Sequence, residues 1–148
     1  MSKEIERREL TEEEWDTLTN GDQQAVEGVF RAISEQIQRG GLPPVISVHV
    51  LRAKRLDLRG MRLQGVAIKR CLFPSVDLGG ADLRGADFRG AQLVHGKISF
   101  AGADLRGARM DVYTCNYSTT DFNRAKCDPE LAEEIQDYGV SLLDLLRS

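Results

Sequence analysis

The sequence predicts an all-β solenoid of short edges and tight corners, closed at both ends by α-helices. Three observations carry this prediction: a five-residue phrase that recurs through the middle of the chain, glycines at a fixed place in that phrase, and helical apolar spacing in both flanks. With 148 residues and 41% hydrophobic composition, the chain has material for one modest core and therefore for one domain with end caps.

The five-residue phrase is clearest in residues 76–80, 81–85, 86–90 and 103–107, where an apolar residue, Asp and a second apolar residue precede a terminal Gly. Helical spacing would scatter such residues around a cylinder, so the period indicates two inward and three outward positions per unit. Gly tolerates the backbone angles of the corner that must follow each edge. From residue 58 to residue 98, every fifth position holds a large apolar residue. These residues are Leu58, Leu63, Ile68, Phe73, Leu78, Leu83, Phe88, Leu93 and Ile98.

This pattern resembles the pentapeptide-repeat family, whose motif is written A-(D/N)-L-x-x, over roughly residues 46–127. The resemblance implies an all-β right-handed quadrilateral β-helix, the pentapeptide-repeat solenoid, to which this chain adds N- and C-terminal α-helical caps. Four units would make a coil of about twenty residues, and coils would stack at about 4.8 Å. The repeat is then expected to form about four coils and a rod roughly 20 Å long.

The pattern slips by two residues after Ile98, and two explanations stay open. Either residues 99–102 form a bulge or loop, or Phe100 takes over as the central inward residue. A second slip, between Cys115 and Phe122, predicts a loop at residues 116–119.

Four segments are predicted: a flexible charged N-terminus (1–9), an N-terminal helical cap (10–44), the solenoid (45–127), and a C-terminal capping helix that is also a candidate for dimerisation (128–148). Thr11 and Glu14 have the spacing of a capping box, with Leu10 placed to pack on Trp15. Asp22 is placed to cap a second helix. Its apolar stripe contains Val26, Val29, Phe30, Ile33 and Ile37.

Asp128 and Pro129 begin the C-terminal helix as cap and first-turn residue. Because a solenoid exposes unpaired strand edges at its ends, both helical ends are predicted to cover them. The alternative that the last helix also pairs two protomers stays open. Its candidate contact residues are Leu131, Ile135, Tyr138, Leu142 and Leu145.

Charge divides the chain into three parts. Residues 1–45 hold 5 basic and 10 acidic side chains, residues 46–127 hold 14 and 7, and residues 128–148 hold 1 and 6. The shaft is therefore basic and both caps are acidic. Some proteins of the pentapeptide-repeat family, which this chain resembles, have the shape and negative charge of a DNA duplex and occupy the DNA-binding saddle of a type II topoisomerase. A basic shaft argues against that function, because such a saddle is itself cationic.

Two outward surfaces are candidate sites. The first is a set of arginines for an anionic partner, against the alternative of a solvated ladder of Asp–Arg pairs worth about 0–1 kcal/mol each; it comprises Arg62, Arg84, Arg89, Arg106 and Arg109. The second is a face without formal charge, which suggests a docking surface unless the second helix folds over it. It comprises Leu72, Pro74, Gln92, Val94, His95 and Tyr117.

No catalytic, metal or cofactor site is predicted. His49 and His95 lie too far apart in the pattern to suggest a ligand set, and the glycines belong to the repeat. Cys71 and Cys115 fall on inward positions and are predicted to be buried thiols, as is Cys127 under the last helix. Without a signal peptide or a long apolar run, the chain is expected to be cytoplasmic and not membrane-bound.

The predicted function is a non-catalytic protein-interaction or scaffold module with an unidentified partner. The alternative is a DNA-mimicking inhibitor or protector of DNA gyrase. A third hypothesis is salt-sensitive binding of the basic shaft to a nucleic-acid backbone, which is disfavoured because no aromatic residues interleave the cations as a stacking platform.

Overall fold

The computed structural model describes residues 4–51, 53–93, 96–111, 113–137 and 146–147. Two helices precede eight short strands, and a third helix and one more strand follow. In chain order the elements are α1 (Glu12–Asn20), α2 (Gln23–Gln38), β1 (Val45–Ile46), β2 (Arg55–Asp57), β3 (Ala67–Ile68), β4 (Cys71–Leu72), β5 (Ser75–Asp77), β6 (Ala91–Gln92), β7 (Ile98–Ser99), β8 (Lys126–Cys127), α3 (Pro129–Gln136) and β9 (Leu146–Arg147).

Both N-terminal helices begin where the sequence predicts. Glu14 N donates to Thr11 Oγ1 at 3.1 Å and Thr11 N donates to Glu14 Oε1 at 2.8 Å, which confirms the capping box. Asp22 caps α2 by accepting from Ala25 N at 2.9 Å. The predicted stripe of α2 faces the interior, with Val26, Phe30 and Ile33 buried and Val29 and Ile37 partly buried.

The described strands of the shaft pair in parallel, each with a segment one coil away along the chain. These pairs form four ladders, which we name A to D. Ladder A contains β1, β3, Asp87 and Arg109; ladder B contains Val50, β4, β6 and the Leu93–Cys115 bridge; ladder C contains β2, β5, β7 and Asp121; ladder D contains Arg62, Asp82, Asp104, β8 and β9.

The extra residues of the repeat lie at the corner between ladders B and C. Leu72 pairs with Gln92, twenty positions on, whereas Val76 pairs with Ile98, twenty-two positions on. The insertion therefore falls between residues 93 and 98. A loop at residues 99–102 is wrong, because Ser99 lies in β7 and its carbonyl accepts from Leu78 N at 2.8 Å.

Phe100 is accordingly the central inward residue of its unit and is fully buried. The second slip is confirmed as turns in residues 116–119, which occupy the same corner one coil later. The sequence pattern placed Ile98 in the wrong inward position because Ile and Phe are both large and apolar. Only the pairing partner distinguishes the two positions.

The core runs along the axis of the stacked strands. The residues predicted to carry the fold, Leu58, Leu63, Leu78, Leu83, Phe88 and Leu105, are all at most 5% exposed. Aromatic rings continue the core toward the C-terminal end, since Phe100 lies 5.8 Å from Phe88 and 5.6 Å from Phe122 between ring centroids. Each such buried side chain contributes roughly 1.5–3 kcal/mol.

Helix α2 covers the N-terminal end of ladders C and D by supplying side-chain acceptors in place of a strand. Glu27 Oε2 accepts from Asp57 N at 2.7 Å, and Ser34 Oγ accepts from Arg62 N at 2.8 Å. These two backbone donors of the first coil are thereby satisfied, which disfavours edge-to-edge pairing at ladders C and D.

Residues 4–9, within the segment predicted to be flexible, instead contact the shaft. Arg7 Nε donates to Gly65 O at 2.6 Å, and Arg8 N donates to Pro43 O at 3.0 Å. Arg8 also forms a salt bridge with Glu14 at 2.7 Å, which ties the segment to α1. The alternation of charges suggested fraying, but these cations have specific acceptors that only the folded chain brings near. Residues 1–3 lie outside the described residues.

The C-terminal end departs from the predicted single helix. Helix α3 ends at Gln136, and β9 pairs in parallel with β8. Asp128 makes no side-chain cap to α3; its carboxylate instead accepts from Gly107 N at 2.6 Å. Tyr138, Leu142 and Leu145 lie outside the described residues.

The corner position that Gly usually fills holds Arg at residues 70 and 124, with φ of 49° and 62°. We expect Arg124→Gly to raise the free energy of unfolding by about 0.5–1 kcal/mol, since a left-handed side chain costs about 1–2 kcal/mol and glycine's entropy offsets part of this. Gly80→Ala is the matched control. Gly80 has φ of 67° and open space around its Cβ position, so backbone strain alone should lower the free energy of unfolding. Urea unfolding measures both, and a destabilised Arg124→Gly would contradict the assignment.

Candidate functional site

Asp–Arg pairs cover the corners that follow ladders A, C and D. In each pair the arginine lies two residues after the aspartate and donates from both Nε and Nη2, so that the pairing is bidentate. The aspartate also accepts from the backbone N–H of its arginine. The pairs are Asp57–Arg59, Asp82–Arg84, Asp87–Arg89 and Asp104–Arg106.

These pairs form the solvated series of Asp–Arg ion pairs that the repeat predicts. The Arg59 guanidinium lowers the pKa of the Asp57 carboxyl to about 2, and Arg89 and Arg106 likewise hold the pKa values of Asp87 and Asp104 below their ordinary range. Contacts between coils are longer, at 4.0 Å for Arg59–Asp77 and 3.9 Å for Arg84–Asp104. Because the four arginine side chains are 40–64% exposed, such pairs contribute little to stability.

The five candidate arginines do not form one cationic surface. Arg84, Arg89 and Arg106 are each held by a carboxylate. Arg62 and Arg109 have no ion pair among the described residues, but they lie on different ladders, D and A. An anion approaching the shaft would have to displace an aspartate at most of these positions.

Ladder B lacks formal charge among its described outward residues. Val50, Leu72 and Gln92 form one column through successive parallel pairs. Val50 is 43% exposed, Gln92 is exposed, and Leu72 is half-buried, as is Pro74 at the next corner. The structure thus places three of the predicted docking residues, Leu72, Pro74 and Gln92, on one side of the shaft. Val94 and His95 lie outside the described residues.

The prediction that Tyr117 lies on this outward face is wrong, because its side chain is only 1% exposed. The turn at residues 116–119 rotates it inward, where its ring lies 5.8 Å from that of Phe122. Burial and the nearby Glu134 carboxylate raise the pKa of its phenol. Its neighbour Thr114 is also buried, with Oγ1 donating to Phe88 O at 3.1 Å.

Helix α2 does not cover ladder B. The ring centroid of Phe30 in α2 lies 6.5 Å from that of the inward Phe73. The polar side chains of α2 form hydrogen bonds with backbone N–H groups of ladders C and D. The alternative in which α2 folds over the uncharged face is therefore wrong. The helix covers the end of the core instead.

An open groove lies at the N-terminal end of ladder B, between α1 and the first coil. Trp15 is 46% exposed and lines this groove. Sequence reasoning missed this groove, although one signal was present: Lys69 and Arg70 stand at a corner, and most corners of the repeat end in Gly instead. The groove is lined by Trp15, Thr19, Ser47, Val48, His49, Val50, Lys69 and Arg70.

A second groove follows ladder C and mixes both charges. Arg55 and Lys97 flank its aspartates, and Arg59 spans two of them. This groove has neither an exposed large apolar side chain nor a single sign of charge among its described lining residues.

The three cysteine thiols are buried, as predicted. Burial raises the pKa of Cys71 to about 12 and those of Cys115 and Cys127 to about 11. Thiolate, the nucleophilic form, is therefore scarce at neutral pH. Within residues 4–51, 53–93, 96–111, 113–137 and 146–147, no cluster of His, Cys, Asp or Glu has the size and spacing to hold a metal ion.

None of the helices in the described part of the chain is both long and apolar enough to span a membrane. Comparison with curated proteins finds no match to the chain. A family model described as pentapeptide repeats matches in eight copies, over residues 54–90, 62–99 and 75–111. These matches lie within the stacked ladders of the shaft, and residues 54–111 therefore consist of repeats of the pentapeptide-repeat family.

Proposed function

We propose that the protein is a non-catalytic interaction module whose docking surface is the outward column of ladder B. The observation that supports this is the contrast between ladders: bidentate Asp–Arg pairs follow ladders A, C and D, and ladder B has none among its described residues. Apolar and uncharged surface costs little to desolvate, and it is the common property of interface cores.

The scaffold that presents this surface is, in this proposal, a right-handed quadrilateral β-helix. Its four sides correspond to ladders A to D, which follow one another in every coil and repeat at twenty or twenty-two residues. A straight shaft of this kind holds the residues of one ladder in a row. Three unpaired, buried cysteines agree with a cytoplasmic location.

Binding to DNA gyrase by DNA mimicry gains no support from the charges of the shaft. A mimic needs a negative rod, but four aspartates of the shaft are each neutralised by a bidentate arginine. The same pairing argues against the nucleic-acid hypothesis, because those arginines are not free for phosphates.

A co-precipitation experiment from the native host tests the proposal. Wild type is compared with a Leu72→Glu/Gln92→Glu variant, which charges ladder B, and with an Arg62→Glu/Arg109→Glu control, which alters ladders D and A. All three are first checked for folding by circular dichroism. We expect a partner that the control retains and the ladder B variant loses.

A partner lost only by the control would contradict the assignment to ladder B. Recovery of a type II topoisomerase, retained by the ladder B variant, would restore the DNA-mimic alternative.

A further inference from the structure

Three of the four ladders are closed at the N-terminal end of the shaft. Arg8 pairs with ladder A, donating to Pro43 O at 3.0 Å and accepting from Val45 N at 2.8 Å. On each of ladders C and D, one backbone donor bonds to a side chain of α2, as described above. Each of ladders A, C and D therefore has at least one outward backbone donor of its first-coil edge satisfied.

Ladder B is open at this end. Leu72 bonds to the flanking residues of Val50, since Leu72 N donates to His49 O at 2.9 Å and Leu51 N donates to Leu72 O at 3.1 Å. Successive residues of a strand direct their backbone groups to opposite sides, so the N–H and C=O of Val50 face away from the shaft. Neither has a hydrogen-bond partner among the described residues.

The open edge adjoins the groove, whose surface is mostly apolar. Trp15 and Val50 are two of the few large apolar side chains exposed in the described chain. Lys69 and Arg70 are the only formally charged residues in the described lining, and neither has an ion-pair partner among the described residues. Arg70 retains a side chain at φ of 49°, a corner angle that Gly takes at most other units.

We propose that this edge binds an extended acidic segment of a partner protein, which adds to ladder B as a further parallel strand. The two residues that flank the one in register with Val50 form the backbone hydrogen bonds: the C=O of the preceding residue accepts from Val50 N–H, and the N–H of the following residue donates to Val50 C=O. An apolar side chain of the segment packs on Trp15 and Val50, and a carboxylate lies at Lys69 and Arg70. The proposal rests on the proposed function, because it names the partner chemistry of the same ladder.

The structure favours this occupant over a neutral or basic one. An exposed strand edge accepts any extended backbone, so selectivity must come from adjacent side chains. Here those side chains offer one aromatic surface and two cations. Charge complementarity therefore selects a segment with Asp or Glu beside an apolar residue.

The test uses a displayed library of random short linear peptides, selected on the full chain. We expect enriched peptides to share an apolar residue next to Asp or Glu. Val50→Pro removes the edge N–H and is expected to weaken their binding about tenfold, because it removes one hydrogen bond and hinders the approach of the strand. Val50→Thr keeps both the N–H and the side-chain shape, and it is expected to bind as wild type does.

A second variant tests the proposal independently, in case Val50→Pro does not fold. Lys69→Glu/Arg70→Glu should reverse the charge preference without removing the edge. Amide hydrogen exchange provides a direct readout, since the Val50 amide should exchange rapidly in the free protein and slow on binding of a selected peptide.

Absence of enrichment, enrichment without acidic residues, or a Val50 amide already protected in the free monomer would overturn the proposal. A wild-type dimer that Val50→Pro converts to monomer would assign the edge to a second copy of the chain and also overturn it. If the host partner is lost by the Leu72→Glu/Gln92→Glu variant but retained by Val50→Pro, the proposed docking function is supported and the proposed strand addition is contradicted.

Discussion

Leu83→Asp is expected to abolish the folded state. Leu83 is fully buried, and its N–H donates to Asp104 O at 2.9 Å in the middle of the shaft. The change removes about 1.5–3 kcal/mol of apolar burial and places a carboxylate in a fully buried position of the hydrophobic core. Since a domain of this size is stable by about 5–15 kcal/mol, the combined loss of several kcal/mol leaves no stable core.

Far-UV circular dichroism and cooperative thermal unfolding measure this effect. Gln92→Asp is the matched control, because it adds the same carboxylate at an exposed position of the same shaft. A soluble Leu83→Asp protein with the β signal of wild type would show that the inward register is wrong.

Gly90→Ala is expected to lower the free energy of unfolding by about 3 kcal/mol, at the upper end of overpacking effects. A Cβ at residue 90 would overlap Ile68 O, and it would lie 2.9 Å from Lys69 Cα and 3.0 Å from Arg70 N. All three are backbone atoms of the preceding coil, so no side-chain rotation relieves the contact. The coils would have to separate at this corner, at a cost to the adjacent hydrogen bond from Cys71 N to Gly90 O.

Gly28→Ala is the control for this substitution. Residue 28 lies within α2, and nothing lies within 4 Å of its Cβ position. Alanine there should stabilise by about 0.5–1 kcal/mol through helix propensity. Denaturant unfolding should therefore show opposite shifts for the two glycines, and equal shifts would contradict the close packing of coils at residue 90.

Local rules predicted the helix starts and the central inward residues. A capping box depends on atoms three residues apart, and Thr11 and Glu14 need nothing else to form it. Likewise, Leu78 and Leu83 are buried because five-residue spacing repeats along one coil after another. Such features survive without knowledge of distant partners.

The candidate site was predictable only in part. The absence of charge around Leu72 and Gln92 is a property of the repeat and was visible in the sequence. The position of Tyr117 was not, since a two-residue insertion changes which side chain points inward. Trp15 and Val50 are far apart in the chain, and only folding places them beside Lys69 and Arg70.

The sequence by itself determined the repeat, its inward apolar residues, its Asp–Arg corners and the presence of helices at both ends, because each depends on neighbours within a few positions. Tertiary structure decided which ladders are closed. Arg8, Glu27 and Ser34 satisfy backbone groups that lie tens of residues away, and no local pattern marks them as partners. The unpaired edge at Val50 is what these long-range bonds leave uncovered.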